Sequence, residues 1–215
     1  MRKIIIICIL ILVGIYFSCT KQKHIFRSEP ITEYYPLRVG NFWVYRDNSI
    51  LYEYYIKKEV VDFCLIQGGI GVYKVRYFCT YVYYPDTVKY AEEWFTYQTI
   101  IDNEVREFSD LNNPDEYEII LRFPLEMGSS WREPQRQTDS VWTFSILIDS
   151  VIAVENVITP AGQFEGCYRI KKIPGPGSMV IPFFESWFKP QIGFVKFRRG
   201  LGMIEYSLID YKIIK

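Results

Sequence analysis

The sequence predicts an all-β fold, an antiparallel and strongly curled sheet that forms either an open barrel or a two-layer sandwich, with no substantial helix. Aromatic residues make up 18% of the 215 residues, and tyrosine alone occurs 18 times. Strands favour aromatic and β-branched side chains. No apolar pattern with a helical period continues over three turns, and short links between consecutive strands favour antiparallel pairing.

Runs of β-branched and aromatic residues recur along most of the chain, and each run predicts a strand. Turn residues separate the runs, for example Gly68-Gly69 and Asp102-Asn103, which adopt backbone conformations that strands do not. The predicted strands lie near residues 42–47, 50–61, 72–84, 88–98, 104–108, 117–123, 141–157, 164–173, 183–189, 193–199 and 203–214.

The N-terminus has the layout of a signal peptide. Arg2 and Lys3 precede an uncharged apolar stretch, Ile4–Phe17, which ends just before Cys19. A membrane-spanning helix needs roughly 20 apolar residues, so the stretch is short for a permanent anchor. The apolar run, the cysteine and the polar residues after it resemble a bacterial lipobox, which implies lipidation of Cys19 and cleavage before it. Cleavage elsewhere and an uncleaved anchor are the alternatives.

This layout divides the chain into a lipoprotein signal peptide (1–18), a lipidated cysteine with a flexible tether (19–33) and an antiparallel β-domain (34–215). The predicted location is the bacterial cell envelope, with the lipid in a membrane and the domain outside the cytoplasm. The whole chain has 25 basic and 25 acidic residues. Such a balance does not favour nucleic acid as a partner.

One segment occurs twice, at an offset of 88 residues. Residues 35–43 and 123–131 both contain an aromatic-Pro-Leu sequence, then a glycine and finally a tryptophan. Proline keeps the preceding residue extended, and glycine reaches conformations closed to other residues. The pattern predicts a strand-entry corner that is used twice, either by two related halves meeting near 110–123 or by one domain that reuses a stable corner.

Three motifs resemble those of uncharacterised bacterial lipoproteins. They are the opening Tyr35-Pro36-Leu37-x-x-Gly40-Asn41-x-Trp43, the turn Pro160-Ala161-Gly162-x-Phe164 and the late strand Gly193-x-Val195-Lys196. The resemblance implies an exported β-domain. It brings no activity, cofactor or ligand with it.

Histidine is nearly absent, since His24 in the tether is the only one. Nucleophilic catalysis with a histidine base and histidine-bearing metal sites are therefore excluded from the domain. No phosphate loop or nucleophile-elbow motif occurs. We assign no catalytic residue, metal ligand or cofactor from the sequence, and the ligand-binding residues stay unassigned.

Carboxylates offer two weaker candidates for chemistry. Glu92 or Glu93 together with Glu185 could form a glycosidase-type pair, which needs two carboxyl groups about 5 to 9 Å apart. Residues 110–118 collect oxygen ligands as a calcium loop does, but they lack its glycine and contain a proline. A solvated turn is the preferred interpretation of that segment.

Cys64, Cys79 and Cys167 remain in the β-domain after the signal peptide and the lipidated cysteine are set aside. Cys64 and Cys79 fall on neighbouring strands, but the alternation of side chains does not give them equivalent positions, and a disulfide requires close and facing Cβ atoms. We expect three buried free thiols, with a Cys64–Cys79 disulfide as the alternative.

Aromatic side chains could stack on sugars or peptides, but filling the core is the simpler role for most of them. The candidates are Trp94, Trp142, Trp187 and residues 81–84. Residues 174–184 are the predicted exposed apolar edge.

These observations favour a non-catalytic envelope domain that has a structural role or binds a protein, a glycan or a lipid. The alternative is a carrier of a lipid or another apolar small molecule, which requires an interior cavity of a few hundred Å³. A hydrolase that uses carboxylates is the third hypothesis.

Overall fold

The computed structural model describes residues 31–47, 52–66, 69–83, 89–113, 116–132, 147–175, 184–200 and 204–214. One helical turn, α1 (Ile31–Tyr34), leads into the strands. The strands are β1 (Phe42–Asp47), β2 (Tyr52–Leu65), β3 (Gly71–Tyr83), β4 (Lys89–Ile101), β5 (Glu104–Phe108), β6 (Tyr117–Arg122), β7 (Ser130–Arg132), β8 (Leu147–Thr159), β9 (Gly162–Pro174), β10 (Phe184–Lys189), β11 (Gly193–Arg199) and β12 (Ile204–Lys212).

All twelve strands belong to one antiparallel sheet, in the order β6-β5-β4-β3-β2-β1-β12-β11-β10-β9-β8-β7. The sheet curls until it nearly closes into a barrel. This confirms the prediction of an all-β fold with an antiparallel, curled sheet. Of the two predicted arrangements, the structure has the open barrel and not the two-layer sandwich. The order consists of two runs of six consecutive strands, β1 to β6 and β7 to β12, which join through the β1–β12 pair.

Two local predictions differ from the structure. The short strand β7 was not predicted, because three residues are too few to show an alternating pattern. A helical turn occupies residues 31–34, where the end of a flexible tether was expected, and a single turn likewise leaves no periodicity to detect. The predicted signal peptide, Cys19 and the tether up to residue 30 lie outside the described residues. No helix within the described ranges is long and apolar enough to cross a membrane.

The up-and-down connectivity gives the barrel two different ends. The corner end is the end at which residues 31–41 enter the sheet. It also holds the β2–β3, β4–β5, β8–β9 and β10–β11 turns, residues 123–129 and residues 213–214. The mouth end is the opposite one, where β1, β3, β5, β7, β9 and β11 finish.

The two copies of the predicted corner form equivalent hydrogen bonds. The Gly40 N–H donates to Val60 O and the Val60 N–H donates to Asn41 O; the Gly128 N–H donates to Val151 O and the Val151 N–H donates to Ser129 O, at 2.8 to 2.9 Å. Both glycines have φ near +90°, which favours glycine. The corner prediction is confirmed at both positions.

Each corner also contacts a turn in the other six-strand run. The Gln191 N–H at the β10–β11 turn donates to Tyr34 O, and the Phe123 N–H donates to Asn103 O at the β4–β5 turn. The rings of Tyr34 and Phe123 lie 5.5 Å apart, edge to face. Because the corners meet each other between the two runs, they close the corner end of the barrel.

The opening motif and the late-strand motif are in direct contact. The Trp43 indole N–H donates to Ile192 O, and a Cβ atom at Gly193 would lie 3.0 Å from that indole nitrogen. Gly193 has φ +106°, so both the backbone and the neighbouring ring require glycine. The remaining motif residues act locally: buried Asn41 donates to Pro36 O and accepts from the Ile214 N–H, and the Ala161 N–H donates to Leu208 O.

The three cysteines of the domain are free. Cys64 pairs in register with Val72, whereas Cys79 pairs with Ile56, so the two cysteines lie far apart along β2 and β3. The disulfide alternative is therefore wrong. Cys79 and Cys167 are buried as predicted, but Cys64 is only half-buried because it lies next to the turn of the β2–β3 hairpin.

A substitution of Gly193 by Ala tests the contact between the motifs. We expect Gly193→Ala to lower the free energy of unfolding by about 3 kcal/mol or more, because backbone strain adds to overpacking against the Trp43 ring. Gly128→Ala is the matched control, since its φ is also positive but no atom lies within 4 Å of the added Cβ; about 1 to 2 kcal/mol is expected there. Urea unfolding measures both values, and equal losses would contradict the role of Trp43.

Candidate functional site

A cavity of about 260 Å³ lies inside the curled sheet. Its walls come from both six-strand runs and include buried apolar residues such as Ile56 and Ile170. Six acidic or basic side chains also line it: Lys58, Glu107, Glu118, Asp149, Lys172 and Arg199. Phe184 and Arg199 lie at the mouth-end limits of β10 and β11, so the cavity extends toward the mouth end while the corners close the other end.

Lys58 forms the floor of the cavity beside the corner that contains Tyr35. It is buried, with 8% exposure. Its ammonium donates to Tyr35 Oη at 3.1 Å and to Gln98 Oε1 at 3.4 Å. The Tyr35, Trp43 and Tyr77 rings surround the ammonium, with centroids 5.5 to 5.8 Å away. This arrangement stabilises a buried cation through hydrogen bonds and the faces of aromatic rings.

Glu107 holds the other side of the floor in place. One of its oxygens, Oε2, accepts hydrogen bonds from Gln98 Nε2, Thr96 Oγ1 and Tyr77 Oη at 2.5, 3.0 and 3.2 Å. Gln98 accepts from Lys58 and Tyr35 and donates to Glu107, so it links the ammonium to the carboxylate. The floor is thus a connected polar network, which fixes the side chains that it includes.

The protonation states of the floor follow from burial. Burial lowers the pKa of Lys58 to about 8, although the charge of Glu107 acts in the opposite direction. Burial and the nearby Glu107 charge raise the pKa of Tyr35 and Tyr77 well above the usual range. Both phenols therefore remain protonated and able to donate near neutral pH.

Aromatic rings line the wall of the cavity between the floor and the mouth end. Trp94 stacks on Tyr77 with the rings 5.3 Å apart and nearly parallel, and Trp94 is 41% exposed. At the far side, the Lys172 ammonium lies 5.6 Å from the Phe184 ring. Lys172 is also the register partner of Asp149 on β8, so opposite charges adjoin at the rim. The cavity therefore combines a flat ring surface with charged groups.

A second recess, of about 240 Å³, lies on the outer face around Trp187. Trp187 is buried because Arg169, Lys196 and Arg198 cover its ring, with distances of 5.0 to 5.3 Å. Its indole N–H donates to Glu155, and the surrounding cations form ion pairs with Glu185 and Glu205. The Trp187 ring is therefore covered by neighbouring side chains and is not open for stacking on a ligand.

The carboxylate pair predicted from the sequence does not form. Glu185 lies on the outer face, paired with Arg169 at 2.8 Å. Glu93 is also on the outer face, where it contacts Arg76 at 3.7 Å, and Glu92 alternates to the opposite face. Since β4 and β10 are separated by five strands in the sheet, and Glu92 and Glu185 point to different faces, they do not share a site.

The possible calcium segment is divided between a turn and a strand. Asp110 accepts hydrogen bonds from the backbone and side-chain nitrogens of Asn112, as in a solvated turn. Glu118 lies on β6 and lines the cavity instead. Residues 114 and 115 lie outside the described residues. Among the described residues, no three His, Cys, Asp or Glu side chains are grouped to hold a metal ion.

Sequence reasoning missed the residues that line the cavity. A signal was present: Lys58 alternates with Ile56 and Val60, and Asp149 precedes Val151 on the same face. A charge inside a run of buried apolar positions marks an interior polar site, because an isolated buried charge is costly. Of the candidate aromatics, Trp94 faces the cavity and Trp187 is buried under its neighbours on the outer face. Trp142 and residues 176–183 of the predicted apolar edge at 174–184 lie outside the described residues.

No family model matches the chain, and no curated protein matches it. The solved structures include a similar chain from Parabacteroides distasonis ATCC 8503, described as a "putative lipoprotein". The identity is 15% and the TM-score 0.45, over 83% of this chain and 97% of the other. That description assigns no activity or ligand.

The lowered pKa of Lys58 predicts a pH dependence of stability. The pKa of lysine in the unfolded chain is near 10.5, so between about pH 8 and about 10.5 the unfolded state binds more protons, and stability rises with pH. We expect the free energy of unfolding of the wild type to rise by about 1 to 2 kcal/mol relative to Lys58→Met between about pH 7.5 and about 9.5.

Urea unfolding at several pH values measures this difference. Lys57→Met is the control, because Lys57 lies on the outer face beside Glu59 with its side chain 38% exposed. The free energy of unfolding of Lys57→Met should change with pH in the same way as that of the wild type. A difference between wild type and Lys58→Met that does not change with pH would contradict the buried state of the ammonium.

Proposed function

We propose that the protein is a lipid-anchored binding protein of the bacterial envelope and that its interior cavity binds a small ligand with one flat ring face and one anionic or hydrogen-bond-accepting group. The observation that supports this is the placement of a buried ammonium, Lys58, and a partly exposed ring, Trp94, in the same cavity.

Lys58 is suited to the polar group of the ligand. An ammonium has three donor hydrogens, and Tyr35 and Gln98 accept two hydrogen bonds from it. A ligand acceptor above the floor would take the third. A charge-assisted hydrogen bond in a site of low polarity is stronger than one between neutral groups.

Trp94 is suited to the ring of the ligand. Its contact with Tyr77 holds one face of the indole system, and 41% of the residue is exposed. Aromatic faces bind flat or apolar faces, including those of sugars and planar heterocycles. The cavity is slightly smaller than the range for drug-sized ligands, which favours a small molecule.

A carrier of a wholly apolar molecule is the second candidate, because an interior cavity of this size is what that hypothesis required. The charged lining makes it the weaker one: an apolar ligand would remove water from more exposed charged side chains of the lining, such as Lys172 and Arg199, without replacing the lost hydrogen bonds. A ligand with a polar group avoids this cost.

Loss of the ring surface tests the binding proposal. Native mass spectrometry of the protein purified gently from the envelope should show a ligand mass that disappears on denaturation. We expect Trp94→Ala to lose this mass, with a loss of affinity of about tenfold or more, since buried aromatic contacts dominate small binding sites. Phe95→Ala is the matched control, because Phe95 is the next residue, is similarly exposed and packs on Lys74 at the outer face.

Two results would contradict the proposal. Equal ligand occupancy in the Trp94→Ala and Phe95→Ala variants would place the ligand elsewhere. Hydrolysis of glycosides that is lost in Glu107→Gln or Glu118→Gln would favour an enzyme, since these two residues are register partners in the cavity.

The lipid anchor has a test of its own. Metabolic labelling with a radioactive fatty acid in a bacterial host should label the wild type, and Cys19→Ala should abolish the label because diacylglyceryl is attached through that sulfur. Cys8→Ala is the matched control, since it changes the other cysteine of the N-terminal segment and should leave labelling intact. Label that persists in Cys19→Ala would exclude Cys19 as the site.

A further inference from the structure

The three most exposed apolar side chains lie at the corner end of the barrel. Leu65, Met127 and Ile158 are 69%, 73% and 78% exposed, and they lie in or next to three separate connections at that end. Val39, Phe63 and Ile70, which are 37% to 48% exposed, lie at the same end. Soluble proteins rarely collect exposed apolar residues on one side without a binding role.

The β2–β3 hairpin contributes the longest uncharged part of this end. From Phe63 to Tyr73 the sequence contains no charged residue. The tip is closed by hydrogen bonds from the Ile66 N–H to Ile70 O and from the Gly69 N–H to Ile66 O. Its backbone groups are thus partly satisfied within the hairpin, which lowers the cost of contact with an apolar environment.

The middle of the outer face has a different character. There, Arg76 pairs with Glu59 and Glu93. That region therefore carries paired charges, whereas the β2–β3 hairpin tip at the corner end contains no charged residue.

The chain enters the domain at the same end. Residue 31 begins α1, and only twelve residue steps separate it from Cys19. A fully extended chain of that length reaches about 40 Å at most. A lipid on Cys19 would therefore keep the corner end close to the bilayer and raise its effective concentration there.

We propose that the corner end docks on the surface of the bilayer that holds the Cys19 lipid, with Leu65, Met127 and Ile158 at the level of the lipid headgroups. This proposal rests on the lipid anchor of the proposed function. It has a consequence for the cavity, because the mouth end then faces away from the membrane. The ligand enters from the aqueous side, and the membrane does not deliver it.

Tryptophan emission in lipid vesicles tests the docking. The full, acylated chain is reconstituted into vesicles of phosphatidylcholine and phosphatidylglycerol, with or without brominated phosphatidylcholine, whose bromine atoms quench nearby indoles. Leu65→Trp and Ile158→Trp each add one indole at the corner end. Ile173→Trp is the matched control, since Ile173 is an exposed apolar residue near the mouth end of β9.

We expect the emission added by Leu65→Trp and by Ile158→Trp to be mostly lost in the brominated vesicles and that added by Ile173→Trp to be retained. Two corner-end variants are used so that poor folding of one leaves the other informative. Emission that is retained in both, on a chain whose acyl mass on Cys19 is present, would falsify the docking and leave the anchor intact.

Three other outcomes would each overturn the docking proposal. Equal quenching of all three variants would exclude a fixed orientation. A shift of the corner-end emission that grows with the ratio of protein to lipid, without quenching, would assign the surface to contacts between copies of the chain. Absence of the acyl mass would remove the anchor, and the docking proposal would fall with it.

Discussion

The contact between the Trp43 ring and the backbone at Gly193 is the constraint on which the rest of the barrel depends. It joins the first strand to the start of β11 across one intervening strand, β12, and it requires that no side chain be present at Gly193. Together with the contact between Tyr34 and Phe123, it closes one end of the sheet. A curled sheet closed at one end retains an interior at the other, which is why the cavity lies toward the mouth.

The polar floor of the cavity is built on that closure. Tyr35 belongs to the entry corner, and its hydroxyl group accepts from Lys58 while donating to Gln98. The corner thus both seals the core and satisfies the buried ammonium. A buried charge is tolerated only where hydrogen bonds and ring faces replace its hydration, so packing of the corner and polarity of the floor depend on each other.

The two ends of the barrel therefore differ in chemistry as well as in shape. The corner end has tight turns and exposed apolar side chains, whereas the mouth end brings charged residues and the Trp94 ring to the cavity. In the proposed arrangement, binding to a membrane surface and binding of a small ligand would use opposite ends of the domain and would not compete.

The sequence by itself determined the class of secondary structure, most strand positions and the repeated corner, because these depend on local patterns and on the conformations open to glycine and proline. It also shows that residues 34–215 contain no histidine. The cavity was decided only by the tertiary structure. Lys58, Glu107 and Asp149 come from strands that are distant in sequence, and Glu92 and Glu185, which the sequence suggested as a pair, point to different faces. Side-chain alternation tells which residues share a face of one strand, but curvature and register across twelve strands decide which faces meet.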